Sequence, residues 1–349
     1  MPLDPDELVG LSEIATLAKV SRSAVANWRA RGSDFPKPVK ELQSGPVFLL
    51  SHVRKWLRRR RIPVANVIAT INLKGGVGKT TSTVAVGEIL SGEFRKRVLI
   101  VDLDPQTNAT TMLIGESKWK ELNENEWTLA RLFEDALADD PSDRKFDLDN
   151  TLQRNVSNVR DVRTLDLLPS SLELIDIQDR LGSMSSGRFH SDVPTDILRR
   201  AVRKILDDYD YVLIDCPPNL GIITLNGLRI SHGYIIPTIP DFVSTWGIPQ
   251  IKSRVKQFAD NIGETIEPYG VAVCKFDSRS SVHRNTVSYL QKNEAPVFKT
   301  IIPQSNQIAA SGEFDETAMT STLRQKYGYQ GQFEAYCGLA KEIMEVVER

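Results

Sequence analysis

Cysteine is scarce in this chain. It occurs three times in 349 residues, at Cys216, Cys274 and Cys337, never as Cys-x-x-Cys and never beside a histidine. That spacing argues against a disulfide framework and a zinc site, and it fits a reducing cytoplasm. No apolar run approaches the ~18 residues that a membrane span needs. The opening stretch, MPLDPDELVG, is acidic and has no apolar centre, so it does not read as a secretory signal. Internal repeats and low-complexity tracts are also missing.

What remains is ordinary globular composition, 41% hydrophobic and 26% charged, enough chain for two domains. The net charge of −1 hides an asymmetry. Residues 1–63 hold twelve Lys and Arg against six Asp and Glu, a net of +6, and the rest carries −7. A short basic head on an acidic body points to a polyanion as the head's partner.

The head, residues 1–63, reads as short helices. Apolar residues recur at helical spacing over 11–18. A second segment over 20–29 opens with Ser21, a residue type that caps helix N-termini. Two short helices across a tight turn make a helix-turn-helix, whose second helix enters the major groove. Residues 47–50 suit a wing strand and 51–61 a third helix ending in Arg58-Arg59-Arg60-Arg61. Ser21, Arg22, Ser23, Asn27 and Arg29 are the candidate DNA contacts, with Arg22 suited to guanine or phosphate and Asn27 to adenine. Ala24, Val25 and Trp28 read as packing positions. The arginine run suits phosphates or a minor groove, or else is a solvated helix end.

The body, residues 64–349, alternates apolar strand-length runs with helical segments. Candidate strands are 67–73, 98–102, 164–168, 211–215, 234–239, 270–274 and 298–302. The class is therefore α/β: a mostly parallel sheet covered by helices on both faces. Residues 115–160 are polar and irregular and read as an insertion with helical pieces.

The densest chemistry lies at Leu73-Lys74-Gly75-Gly76-Val77-Gly78-Lys79-Thr80-Thr81, between a strand and a helix. Gly75, Gly76, Val77 and Gly78 let backbone N–H groups turn around phosphate oxygens, and the helix N-terminus adds positive charge. Lys79 suits the β- and γ-phosphates, and the Thr80 hydroxyl, with Thr81 beside it, suits Mg2+. The general P-loop has a Gly six residues before its Lys; here that position is Leu73, followed by Lys74. A lysine there reaches a nucleotide in a facing subunit more easily than its own. Asp215 ends a buried strand and suits a Mg2+-bound water.

The run Lys-Gly-Gly-Val-Gly-Lys-Thr-Thr resembles the deviant Walker A motif of the ParA/MinD family of ATPases. Val98–Asn108, with Asp102-Leu103-Asp104-Pro105, looks like that family's second motif, and Tyr211–Gly221 like its Walker B strand. Leu167–Ser171 and Lys275–Arg279 resemble the ParA branch. The resemblance covers about residues 65–349. It implies a P-loop NTPase fold, ATP and Mg2+ as cofactors, and a nucleotide-sandwich homodimer completed by Lys74. It also implies that Asp104 orients the attacking water and that a ParB-like adaptor stimulates hydrolysis. Asp102 either joins the site or only fixes the loop. Ile302–Gln307 resembles the family's loop near the base, which would put Lys275 and Pro303 at the adenine; an ordinary strand-to-helix turn reads as well. The head resembles the winged helix-turn-helix of excisionase and MerR-like regulators.

Relatives bind DNA nonspecifically through basic residues in the C-terminal third, which Arg279 matches, with Arg284, Lys252, Arg254 and Lys256 nearby. Gln304 and Gln307 stand where that family carries arginine, which shifts weight to the head. The implied function is a cytoplasmic, nucleoid-associated partition ATPase that segregates plasmid or chromosomal DNA and represses its own operon. The alternatives are a nucleotide-gated transcription regulator and a positioning ATPase for another cargo. A MinD-like membrane switch ends in a basic amphipathic helix, whereas the last helical stretch here has an acidic polar face. An iron-sulfur reductase needs cluster cysteines, and a bacterial tyrosine kinase needs anchors and a Tyr-rich tail.

Overall fold

Runs of β-branched and aliphatic residues bounded by polar turns fold as expected, but their ends are set by neighbours. The computed structural model describes residues 7–18, 20–31, 35–42, 44–59, 65–138, 140–183, 193–294 and 296–348. They fall into two units, residues 1–65 with 345–349, and residues 66–344.

The smaller unit holds β1 (Leu8–Val9), β2 (Lys40–Leu42) and β3 (Gly45–Leu49), antiparallel in the order β1-β3-β2, with helices Leu11–Leu17, Arg22–Arg31 and Leu50–Arg59. Ser21 caps the second helix, its Oγ accepting from the Ala24 N–H at 3.2 Å. Ile14, Val25, Phe48, Val53, Trp56 and Leu57 form its core, and Trp28 packs against it. The strand expected over 47–50 thus begins earlier, at Gly45, and pairs with two strands that the pattern did not reveal, each too short for a periodic signal.

In the larger unit, β4 (Asn66–Thr70), β5 (Val98–Asp102), β6 (Leu165–Leu168), β7 (Tyr211–Asp215), β8 (Gly233–Thr238), β9 (Glu267–Phe276) and β10 (Val297–Pro303) form one sheet. Its order is β10-β9-β8-β4-β7-β5-β6 and every pairing is parallel. β5 and β7 are buried at every position, as strands covered on both faces must be. The register sets Asp215 beside Thr70 on one side and Asp102 on the other. The chain runs from β4 to one side of the sheet and returns to the other at β8, which opens a crevice at the carboxyl ends of the strands.

β4 ends at Thr70, three residues sooner than its apolar run. Its neighbour β7 gives one more bond, Cys216 N–H to Thr70 O at 3.3 Å, and then Pro217 and Pro218 have no N–H to offer. The segment 115–160 is less of an insertion than its polarity suggests. Helix Asn108–Glu124 runs through its expected start, with a break at Gly115 (φ 79°). Leu122, Leu129 and Phe133 are buried core, and Gln153 exchanges two hydrogen bonds with Leu167 of β6 at 2.9 and 2.8 Å. The polar residues face out; the sparse apolar ones anchor the segment over the edge strand β6.

Candidate functional site

The loop between β4 and helix Lys79–Gly92 turns at Gly76 (φ 74°) and Gly78 (φ 93°), left-handed conformations that L side chains rarely adopt. A Cβ at Gly75 or Gly76 would meet nothing within 4 Å, so the loop's concave side is open. Lys79 opens the helix, is buried, and donates from Nζ to the Lys74 carbonyl at 3.0 Å. Burial lowers its pKa, and Asp215 and then Asp104 oppose that effect. Val77 is buried below the loop, and Thr80 and Thr81 are half-buried at the first helical turn.

The three carboxylates of the crevice have different roles. Asp102 accepts from Asp104 N–H (3.1 Å), Thr110 N–H (2.9 Å) and Thr110 Oγ1 (2.7 Å). Burial raises its pKa to about 7, and the bonds from Thr110 oppose the rise. Of the two readings of Asp102, the geometry favours the loop-fixing one: one oxygen is taken by Asp104 and the other by Thr110 of the following helix. Asp104 accepts the Gln106 N–H at 3.0 Å, and its own carbonyl takes the Ser170 hydroxyl at 2.8 Å. Burial raises its pKa as well.

Asp215 is fully buried, with a 3.5 Å contact from Thr83 Oγ1 to Oδ1, and its Oδ2 has no hydrogen-bond partner. Burial, then Asp102, push its pKa well up, while a bond from Thr80 pulls it down. A buried, unsatisfied carboxylate oxygen is costly unless a cation or its water takes it. Asp215 and Thr80 therefore fit a divalent ion bound together with a phosphate.

Lys74 does not point at the concave side of the loop. Its Nζ lies 2.8 Å from Ser244 Oγ and 3.4 Å from Asp241 Oδ2. Asp241 caps the helix Phe242–Trp246 by accepting the Ser244 N–H at 2.7 Å. Neither residue was singled out from the sequence. The Asp-x-x-Ser spacing after an apolar strand is the available signal, since it marks a capped helix start.

Lys275, at positive φ (53°), reaches back to the phosphate loop and donates to the Gly76 carbonyl at 2.7 Å. Pro303 lines a different space, a cleft of 430 Å3 with Phe276, Asp277, Arg279 and Gln304. The structure thus puts Lys275 at the loop and Pro303 in the cleft beyond it. Arg279, read as a DNA contact, is clasped by Asp277, its Nε and one terminal nitrogen each 3.0 Å from a carboxylate oxygen. Lys252 bonds Glu294, Lys256 pairs with Asp260, and the Arg284 guanidinium donates to the Ser278 carbonyl. In the smaller unit Ser21, Arg22, Ser23, Asn27 and Arg29 are exposed on one helix. Arg29 forms an ion pair with Glu41 of β2. The side chains of Arg58–Arg61 lie outside the described residues.

A parallel α/β sheet with a glycine-rich loop from its central strand into a helix, a buried lysine and a strand-end carboxylate define a P-loop nucleotide-binding protein. Residues 65–267 match the family described as an AAA domain, more than half of the chain. An uncharacterized protein of Mycobacterium tuberculosis, Rv1708, is 31% identical over 80% of this chain and 79% of its own length. Sporulation initiation inhibitor protein Soj of Bacillus subtilis is 28% identical over 80% of this chain and 98% of its own. Chromosome partitioning protein ParA of Myxococcus xanthus is 26% identical over 81% and 89%. A solved structure of cobyrinic acid a,c-diamide synthase from Mycobacterium smegmatis, with bound ATP analog and magnesium, superposes with a TM-score of 0.59 at 26% identity, covering 80% of this chain and 93% of that one. The chain belongs to this AAA-domain family. Among the described residues no helix is long and apolar enough to cross a membrane.

Proposed function

We propose that the protein is a ParA-type partition ATPase that binds ATP with Mg2+, dimerises on it and hydrolyses it to ADP and phosphate. The observation that carries this reading is the buried Lys79 at the loop, set against Asp215 at the end of β7 and Asp104 just beyond the end of β5. Lys79 and the loop amides take the phosphate charge, and the Gly75–Gly78 backbone fits the polyphosphate on its open side. Thr80 and Asp215 hold Mg2+, which when bound neutralises charge on the phosphates. Asp104 positions the attacking water and Lys74 serves the nucleotide of a facing subunit. Positioning and charge neutralisation are what phosphoryl transfer to water requires. Lys275 holds the loop rather than the base, and Pro303 with its cleft takes the adenine. The smaller unit is a helix-turn-helix that reads an operator through Ser21, Arg22, Ser23 and Asn27, and a ParB-like adaptor stimulates turnover.

The test is ATP hydrolysis with and without DNA and a candidate adaptor. Lys79→Ala should lose ATP binding, and Lys74→Ala should bind ATP yet lose hydrolysis. A Lys79→Ala protein that binds ATP with unchanged affinity refutes the loop assignment.

A second reading, a nucleotide-gated transcription regulator, has one observation in its favour. Arg279 is already chelated by Asp277, and Gln304 and Gln307 replace arginines, whereas the exposed helix of the smaller unit keeps Arg22 and Asn27 open. A gel shift of residues 64–349 on random-sequence DNA separates the two: ATP-dependent binding supports the partition motor, and its absence with both ATP and ADP supports the regulator.

A further inference from the structure

The loop that leaves β6 is bonded to the turn that carries Asp104. That turn, Asp104-Pro105-Gln106-Thr107, is closed by the Thr107 N–H on the Asp104 carbonyl at 2.9 Å. Thr107 sits at φ 57°, a left-handed conformation that a β-branched residue keeps only where its surroundings impose it. The same carbonyl accepts a second bond, from the Ser170 hydroxyl at 2.8 Å. Ser170 is fully buried, and it follows β6 rather than β5 in the chain.

Ser170 is itself fixed at both backbone ends. Its N–H donates to Thr110 Oγ1 at 3.0 Å, and its carbonyl accepts the Trp119 indole N–H at 3.2 Å. Thr110 Oγ1 donates in turn to Asp102 Oδ2 at 2.7 Å, and Asp102 Oδ1 accepts the Asp104 N–H at 3.1 Å. The preceding carbonyl, of Pro169, takes the Leu129 N–H at 2.9 Å, where helix Leu129–Asp135 begins. The backbone of Asp104 is therefore held on both sides of its Cα, the N–H by Asp102 and the carbonyl by Thr107 and Ser170. Its Oδ1 accepts the Gln106 N–H within the same turn, so any shift of the turn moves the carboxylate.

We propose that Ser170 is a positioning residue for hydrolysis: its hydroxyl holds the Asp104–Thr107 turn and thereby aims the Asp104 carboxylate at the attacking water. The proposal rests on the reading of Asp104 given above. Ser170 is buried and its hydroxyl is spent on the Asp104 carbonyl, so it acts through Asp104 rather than on the nucleotide. The other bond to that carbonyl comes from within the turn, so Ser170 ties the turn to the loop after β6. Without the tie, one bond fewer opposes the relaxation of Thr107. A misplacement of about 1 Å can lower a rate by about 100-fold. A loosened turn therefore slows hydrolysis while phosphate binding, carried by Lys79 and the loop amides, is kept.

The experiment uses the full chain with Mg2+ and reads phosphate release at saturating ATP. The affinity and stoichiometry of a non-hydrolysable ATP analogue count the intact sites alongside. Ser170→Ala removes only the hydroxyl. It should bind the analogue like wild type, at full stoichiometry, with kcat about five- to tenfold lower, the worth of one hydrogen bond. The specific readout is a cycle with Asp104→Ala. Adding Ser170→Ala to Asp104→Ala should lower single-turnover hydrolysis no further, because the group that Ser170 aims is already gone. Ser170→Cys, close in shape and a weaker donor, should fall between wild type and Ser170→Ala, and it carries the test if Ser170→Ala does not fold. An Asp104→Ala protein that hydrolyses like wild type overturns the Asp104 reading and the role of Ser170 with it. A slow Asp104→Ala protein beside Ser170 variants at the wild-type rate overturns the role of Ser170 alone. So does a loss that repeats in full on the Asp104→Ala background, or one that only follows a fall in analogue stoichiometry.

Discussion

Replacing Lys326 by Met should be one of the most damaging single changes in the larger unit. Lys326 is 6% exposed and its Nζ lies 2.8 Å from Glu88 Oε1. Glu88 is fully buried on helix Lys79–Gly92, the helix that begins with the phosphate-loop lysine. It also accepts the Ser157 hydroxyl at 2.6 Å and the Tyr327 hydroxyl at 2.6 Å. Burial, then Glu88, push the Tyr327 pKa well up, so Tyr327 remains a neutral donor. Met keeps the side-chain stem and removes the ammonium, which leaves a buried carboxylate with two neutral donors. Breaking one partner of a buried pair costs about 3–5 kcal/mol. At roughly 2–4 °C per kcal/mol for a unit of this size, the melting temperature should fall by roughly 6–20 °C.

The assay is calorimetric melting at neutral pH, backed by urea midpoints. The control is Glu88→Gln with Lys326→Met. A Gln amide still accepts from Tyr327 and donates to Ser157, and no charge is buried. The double variant should therefore recover most of the loss, a coupling that a cycle of the four proteins measures. A loss below about 1 kcal/mol in Lys326→Met, or a double variant equal to the sum of the singles, refutes the reasoning.

Asp104→Ala should keep ATP binding and ATP-driven dimerisation while hydrolysis falls by roughly 100-fold or more, measured as phosphate release. In the smaller unit, Arg22→Ala should weaken operator binding by about 1–3 kcal/mol in a gel shift, and Arg29→Ala should weaken it less, because Glu41 already holds Arg29. The acid cluster makes stability depend on pH. Asp215 and Asp102 have folded pKa values above their unfolded ones, so their contribution is full below the unfolded value and is lost as pH rises through the folded value, about 7 for Asp102. Without nucleotide, the melting temperature of wild type minus that of Asp215→Asn should therefore fall as pH rises above the ordinary carboxylate range, and a flat difference speaks against it.

The sheet was legible because each of its strands is an apolar run of strand length between turn residues, and the phosphate loop because glycine spacing is a backbone requirement. The ends of strands were not. Whether Ile71 continues β4 depends on Pro217 and Pro218, which follow the distant strand β7 and its last bond, Cys216 to Thr70. Glu88 reads in sequence as one polar residue on an apolar helix; only the fold brings it Lys326, 238 positions later. Lys74 stood out by its place before the glycines, yet its seat on Asp241 and Ser244 spans 167 and 170 positions. Lys275 was assigned to the base through a neighbouring loop, and its positive φ turns it to Gly76 instead. In each case the local chemistry was readable, and the partner was fixed by strand order, which the pattern of a single strand does not encode.

Strand order also explains the electrostatics of the crevice. β7 lies between β4 and β5, so the carboxylate that ends it is placed against the phosphate-loop strand on one side and Asp102 on the other. Asp102 is satisfied by Asp104 and Thr110, whereas Asp215 has no donor for Oδ2 and burial pushes its pKa well up. Lys79 alone does not offset three carboxylates, and it spends its ammonium on the Lys74 carbonyl. A polyphosphate entering beside them adds more negative charge, so binding is favourable only with further cations. A divalent ion at Asp215 and Thr80 would be one such source, and it would give the unsatisfied Asp215 Oδ2 a partner. The second is Lys74, which its own subunit holds elsewhere. On the proposed dimer reading, pairing two copies would bring each subunit's lysine to the facing site and so supply that charge to both.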